Sequence, residues 1–92
     1  MIYRNHAGDK PVVHPTATIH PSAVVIGNVQ IGEKVFVGPN AVIRADEPCP
    51  EGKVEAIVIE SEVNIQDGVI IHALGGSPVH IGKGVSLAHG AV

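Results

Sequence analysis

Two histidines are the residues of this sequence best suited to chemistry. His72 ends the run Gln66-Asp67-Gly68-Val69-Ile70-Ile71-His72, and His89 follows Ser86-Leu87-Ala88. Imidazole is a common zinc ligand, and a catalytic zinc is held by three protein ligands with one position left for water. We therefore take His72 and His89 as candidate metal ligands and expect a third ligand beyond residue 92.

The remaining histidines and the single cysteine point to no site. We interpret the other four histidines as solvated surface residues: His6, His14, His20 and His80. Cys49 has no second thiol with which to form an internal disulfide, which is compatible with a reducing compartment. We expect Cys49 to take no part in the chemistry.

The elements that must position these residues are defined by aliphatic side chains at intervals of six. Two residues before each of them lies a second small or β-branched residue, which suits short strands with one buried face. The eleven repeat positions are Val13, Ile19, Val25, Ile31, Val37, Ile43, Ile59, Ile65, Ile71, Ile81 and Leu87. The glycines expected at tight corners between strands are Gly27, Gly32, Gly38, Gly68, Gly82 and Gly84.

A period of six residues is the signature of a parallel β-helix, in which three short strands make one coil of 18 residues. The sequence therefore predicts an all-β, left-handed parallel β-helix of about four coils, the last incomplete. The left hand rests on the similarity to three-sided hexapeptide helices. Longer intervals after Ile43 and Ile71 predict two bulges, at 47–52 and 73–78. We expect residues 1–92 to form one domain, which is either the N-terminal part of a longer protein or a chain that a partner must cover.

The spacing also predicts which polar side chains share a corner of the prism. Arg44 and His72 fall at equivalent positions of successive coils, about 4.7–4.9 Å apart. Gln66 and His89 fall on a different corner. Imidazoles on different corners can meet only if identical prisms pack around a three-fold axis, so a shared metal site requires a homotrimer.

Composition excludes several other classes of function. A net charge of −3 gives no basic surface for nucleic acid. The hydrophobic fraction of 45% argues against disorder, and only 2% of residues are aromatic, as expected for a core of stacked Val, Ile and Ala. No long apolar run suggests a signal peptide or a membrane span. We expect a cytoplasmic protein with no membrane partner.

Three segments, in this order, resemble the gamma-class carbonic anhydrases. They run from Ile43 to Glu47, from Asn64 to Leu74 and from Val85 to His89. The resemblance implies reversible hydration of carbon dioxide to bicarbonate by a homotrimer that holds Zn²⁺, or Fe²⁺ or Co²⁺, at its subunit interfaces. By the same resemblance, His72 is one ligand and His89 is the ligand given by the neighbouring subunit. The third histidine of that family is not in this sequence.

The resemblance also implies roles for several polar side chains around the metal. Gln66 and Asn64 would orient the metal-bound hydroxide and bicarbonate, and Glu47 would take part in proton transfer. The loop after His72 is short and lacks the acidic segment that some members use to export protons. On local chemistry alone, Gln66-Asp67-Gly68 is also consistent with a simple turn.

Arg44 matches an interface arginine of that family and has two candidate partners, Asp46 and Asp67. An interface ion pair with a purely structural role is an equally good interpretation of Arg44 and Asp46. The two roles are compatible with each other.

Two other functions remain open. A hexapeptide acyltransferase would use a histidine as general base while an acyl-CoA lies along a groove of the coil. A trimeric scaffold without catalytic activity is the second alternative, and the missing third ligand favours it. Metal analysis separates the hydratase from the transferase, since only the hydratase needs a metal.

Overall fold

The chain folds into short strands. The computed structural model describes residues 1–88 and 90–91, and these contain no helix, hence none long and apolar enough to cross a membrane. The strands are β1 (Ile2–Tyr3), β2 (Val12–Val13), β3 (Thr18–Ile19), β4 (Val24–Gly27), β5 (Val29–Ile31), β6 (Phe36–Val37), β7 (Val42–Ala45), β8 (Ile57–Ile59), β9 (Asn64–Ile65), β10 (Ile70–His72), β11 (Val79–Ile81) and β12 (Ser86–Leu87).

These strands form three parallel sheets, the three faces of a prism. Face A consists of β1, β4, β7 and β10, face B of β2, β5, β8 and β11, and face C of β3, β6, β9 and β12. Neighbouring strands come from successive coils, so Val25 pairs with Ile43 and Ile43 pairs with Ile71. The prediction of a left-handed parallel β-helix built from hexapeptide repeats is confirmed.

The core is a stack of aliphatic side chains along the axis of the prism. Ile43, Ile59 and Ile65 are at most 1% exposed. Their branched side chains are restricted in χ1 and pack closely on a pleated surface, and burying each one contributes about 1.5–3 kcal/mol. The residues between them on the same strands point outward, which leaves alternate positions free for polar chemistry.

The corners depend less on glycine than the sequence suggested. Asn40 has φ of 60°, and its N–H donates to Ser22 Oγ of the preceding coil at 3.0 Å. Gly27 fits the expectation, because a Cβ at its φ of 86° would overlap the Ala45 carbonyl oxygen. Of the predicted corner glycines, those with positive φ are Gly27, Gly68 and Gly84.

Two insertions interrupt the coils near the predicted places. The first, after β7, contains an antiparallel bridge between Pro48 and Val54. The second, after β10, is closed by a hydrogen bond from Ser77 N–H to the Leu74 carbonyl at 2.9 Å. Both leave face A in successive coils, so they lie next to each other at one edge of the prism.

The N-terminal strand β1 was not predicted. Ile2 pairs with Val25, 23 residues later, so it does not follow the 18-residue spacing of the coils. Asn5 follows it and is buried, and its Nδ2 donates to the Ala45 carbonyl at 2.9 Å and to Asp9 Oδ2 at 3.1 Å. This segment adds an edge strand to face A beside β4.

Candidate functional site

The predicted neighbours Arg44 and His72 are paired across β7 and β10. Their side chains leave face A on its outer side, because the adjacent Ile43 and Ile71 occupy the inward positions of the same strands. Arg44 Nη2 lies 3.3 Å from Asp46 Oδ2. Of the two aspartates proposed from the sequence, Asp46 is therefore the one that the structure pairs with Arg44.

The His72 ring faces two carboxylates without bonding to either. Its Nε2 atom is 3.9 Å from Asp46 Oδ1 and 3.5 Å from Glu47 Oε2. Both distances exceed the usual range of a hydrogen bond. Among the atoms of the described residues, His72 Nε2 and Asp46 Oδ1 are buried and have no hydrogen-bond partner. An unsatisfied buried polar atom costs about 1–3 kcal/mol, so a group that bonded to both atoms would stabilise this arrangement.

The charges around His72 favour a cation. One guanidinium, from Arg44, is set against the carboxylates of Asp46 and Glu47, which leaves one negative charge in excess when the imidazole is neutral. The His72 side chain is 28% exposed, so ions in solution have partial access to it. A nitrogen donor beside carboxylate oxygens suits a divalent transition metal.

Glu47 is held by the second insertion. Its Oε1 accepts a hydrogen bond from the Gly75 N–H at 3.1 Å, while its Oε2 faces His72. The sequence identified Glu47 as a candidate but gave no reason to single out Gly75. The contact joins two loops whose conformations do not follow the repeat.

The other candidate residues lie on or beside a different face. Asn64 is on β9 of face C, where it pairs with Phe36 and Ser86. Gln66 follows β9, and its N–H donates to the Leu87 carbonyl at 3.1 Å. The predicted separation of Gln66 from the column of Arg44 and His72 is thus confirmed. Asp67 lies at the next corner, beside Gly38, where an added Cβ would come within 2.8 Å of its Oδ1.

One chain does not by itself provide a complete metal site in the part that the structure describes. No group of three or more His, Cys, Asp or Glu side chains is placed to hold an ion among residues 1–88 and 90–91. His89, the second predicted ligand, lies outside the described residues. A metal ion at His72 would therefore need ligands from outside the described residues of one chain.

The described residues of the prism line at least two concave surfaces. The larger, of about 840 Å³, runs along face B and is lined by Gln30, Val58, Glu60 and Ser61 among others. The smaller, of about 270 Å³, lies beside His72, Ile71 and Leu87.

Comparison with known proteins agrees with the architecture. Residues 10–45 match the family described as bacterial transferase hexapeptide (six repeats). The chain is built from hexapeptide repeats. It is 40% identical over all 92 residues to proteins named carnitine operon protein CaiE from Escherichia coli O157:H7, from E. coli O1:K1 / APEC and from E. coli K12 / DH10B. The chain spans 43% of the length of each of these relatives.

Two contacts near the site escaped prediction. Asn5 bonds to the Ala45 carbonyl, one residue before Asp46, and Gly75 bonds to Glu47. A polar residue after a short apolar segment was the only signal for Asn5. The glycine pair Gly75-Gly76 after His72 was the only signal for the second contact.

Proposed function

We propose that this hexapeptide-repeat protein is a gamma carbonic anhydrase-like enzyme that hydrates carbon dioxide to bicarbonate. The observation that carries the proposal is the buried His72 Nε2, which has no hydrogen-bond partner among the described residues and faces two carboxylates. Its place next to Arg44 on face A agrees with the motif order in the sequence. We propose the cytoplasm as its location, consistent with one free cysteine.

His72 and, from a neighbouring subunit, His89 would hold the metal, which is Zn²⁺, Fe²⁺ or Co²⁺. Such an ion, when bound, lowers the pKa of coordinated water so that hydroxide is available near neutral pH. Glu47 would accept the proton that the coordinated water loses, at Oε2, the carboxylate oxygen nearest His72. Arg44 would keep Asp46 turned toward the ring, because it bonds to Oδ2 and leaves Oδ1 toward His72.

The proposal requires a homotrimer. Gln66 and Asn64 belong to face C of the chain, whereas His72 is on face A. A three-fold axis brings different faces of two copies together, so the amides of one subunit would reach the His72 of the next. There they would orient carbon dioxide and bicarbonate by hydrogen bonds.

A second candidate function is acyl transfer at face B. The groove there is lined by Glu60 and Ser61, and Glu60 Oε2 lies 2.7 Å from His80 Nε2. A carboxylate that orients an imidazole leaves the other ring nitrogen free to act as a general base. The match of residues 10–45 to a family described as a bacterial transferase is a second observation in favour of acyl transfer.

Metal content and activity together test the proposal. The purified protein is analysed for bound metal, then loaded with zinc, or with iron under anaerobic conditions, and assayed for carbon dioxide hydration by stopped flow. In protein that includes the third ligand expected beyond residue 92, we expect metal-dependent hydration that His72→Ala abolishes and His80→Ala leaves unchanged. Acyl transfer from acetyl-CoA is measured in parallel, with carnitine among the acceptors because of the relatives' name. Activity lost in His80→Ala but kept in His72→Ala would support the transferase, and a trimer without either activity would support a scaffold.

A further inference from the structure

Glu47 is held at one oxygen and presents the other. Oε1 accepts the Gly75 N–H at 3.1 Å, and Oε2 lies 3.5 Å from His72 Nε2. The side chain is 46% exposed, so packing alone restrains it little. A long flexible side chain loses most of its rotamer freedom only when such a contact fixes it. The single backbone donor of Gly75 therefore determines where the second oxygen points.

Only glycine allows this approach at position 75. Gly75 does not have positive φ, so its backbone conformation is open to any residue. The restriction is spatial: an added Cβ would lie 2.7 Å from the Pro48 carbonyl oxygen and 3.3 Å from the Pro48 carbonyl carbon. Both are backbone atoms next to Glu47, so an alanine would push the two insertions apart and move the donor away from Oε1.

We infer that Gly75 is a positioning residue, which orients the Glu47 carboxylate toward His72 by a hydrogen bond between the two insertions. The orientation of the Glu47 carboxylate by Gly75 is supported by these contacts alone. Its consequence for proton transfer rests on the proposed function. Gly75 thus links the second insertion to the proposed site. In the described part of the chain, the second insertion makes no side-chain hydrogen bond to any other candidate residue.

Nuclear magnetic resonance of the metal-free protein tests the geometry at a fixed pH. The Gly75 amide should exchange with solvent at least about tenfold faster in Glu47→Ala than in the wild type. Glu47→Gln should restore the slow exchange, because its amide oxygen is an equivalent acceptor. The Glu47 carboxyl carbon resonance should move toward that of a free glutamate in Gly75→Ala. The matched control is Gly82→Ala, since an added Cβ at Gly82 meets no atom within 4 Å.

Kinetics of the metal-loaded protein test the consequence. Hydration kcat should fall roughly 100- to 10,000-fold in Glu47→Ala, the range of a lost general base, and should fall less in Gly75→Ala, with KM unchanged in both. The double variant should be no slower than Glu47→Ala, because Gly75 acts only through the Glu47 carboxylate. Gly82→Ala should match the wild type.

The activity assay tests the proposed function, and the Gly75 amide exchange tests the positioning role of Gly75, so either claim can be refuted without the other. A wild-type protein without hydration activity would overturn the proposed function, and the Gly75 amide would still decide the inference. An unchanged Gly75 amide in Glu47→Ala, or Gly75→Ala indistinguishable from Gly82→Ala, would overturn the inference whatever the activity. If Gly75→Ala does not fold, the comparison of Glu47→Ala with Glu47→Gln decides by itself.

Discussion

Replacement of His72 by leucine should change the stability of the protein in opposite directions with and without zinc. In the metal-free protein the substitution removes a buried ring nitrogen that has no hydrogen-bond partner among the described residues. With zinc present it removes a ligand. A side chain that contributes only packing would change stability in the same direction under both conditions.

The magnitudes follow from burial and mass action. An unsatisfied buried polar atom costs about 1–3 kcal/mol, and we take about 1 kcal/mol because the side chain of His72 is 28% exposed. The metal-free variant should gain that amount in free energy of unfolding. At a zinc concentration 100 times its dissociation constant the wild type gains about 2.7 kcal/mol, which the variant lacks. The variant should then be about 1.7 kcal/mol less stable than the wild type.

Urea denaturation followed by circular dichroism at pH 8, with chelator or with zinc, measures both differences. A change of 1 kcal/mol corresponds to roughly 0.3–1 M in the urea midpoint. The control is His80→Leu, which removes an exposed histidine bonded to Glu60 and should keep the full response to zinc. If His72→Leu destabilises the metal-free protein and zinc stabilises neither protein, His72 is not a ligand and our interpretation of its unsatisfied nitrogen is wrong.

Three further predictions concern the core, the assembly and the free thiol. Ile65→Ala should cost about 2–5 kcal/mol of unfolding free energy, and Val12→Ala at a 68% exposed position less than about 1 kcal/mol, in the same denaturation assay. Analytical ultracentrifugation at micromolar concentration should show a trimer that Ile70→Glu dissociates; a stable wild-type monomer would contradict the assembly. Cys49→Ser should leave hydration unchanged in stopped-flow assays, and a loss above about tenfold would assign the thiol a role.

The repeat made the fold and half of the site predictable. The interior of a coil accepts only small or branched aliphatic residues, so each coil shows three such positions at intervals of six. Ile43 and Ile71 are the third positions of successive coils, and the sequence therefore predicts their pairing in spite of the insertion between them. The residues that follow them, Arg44 and His72, were then neighbours by geometry. The same reasoning predicts that Gln66 lies on a different column from Arg44 and His72, as it does in the structure.

Segments outside the repeat could not be predicted in this way. The strand β1 pairs with β4 at a spacing that belongs to no coil, and the burial of Asn5 depends on the carbonyl of Ala45, 40 residues away. The hydrogen bond between Gly75 and Glu47 joins two loops whose shapes are set by local turns. Such contacts depend on three-dimensional proximity, for which a periodic pattern contains no information.

The outer surface of face A explains why we place the subunit interface there. Val24, Val42 and Ile70 form an aliphatic column on that surface, directly beside the column that contains Arg44 and His72. Ile70 remains 40% exposed in the single chain. An apolar centre next to a polar group that must be shielded from water is typical of a protein interface. Covering the aliphatic column with a second copy would bury Ile70 and bring new side chains to His72 Nε2 in the same step. The proposed metal site and the proposed trimer are therefore one hypothesis, because the contact that removes the apolar surface from water would also supply a ligand from the neighbouring subunit.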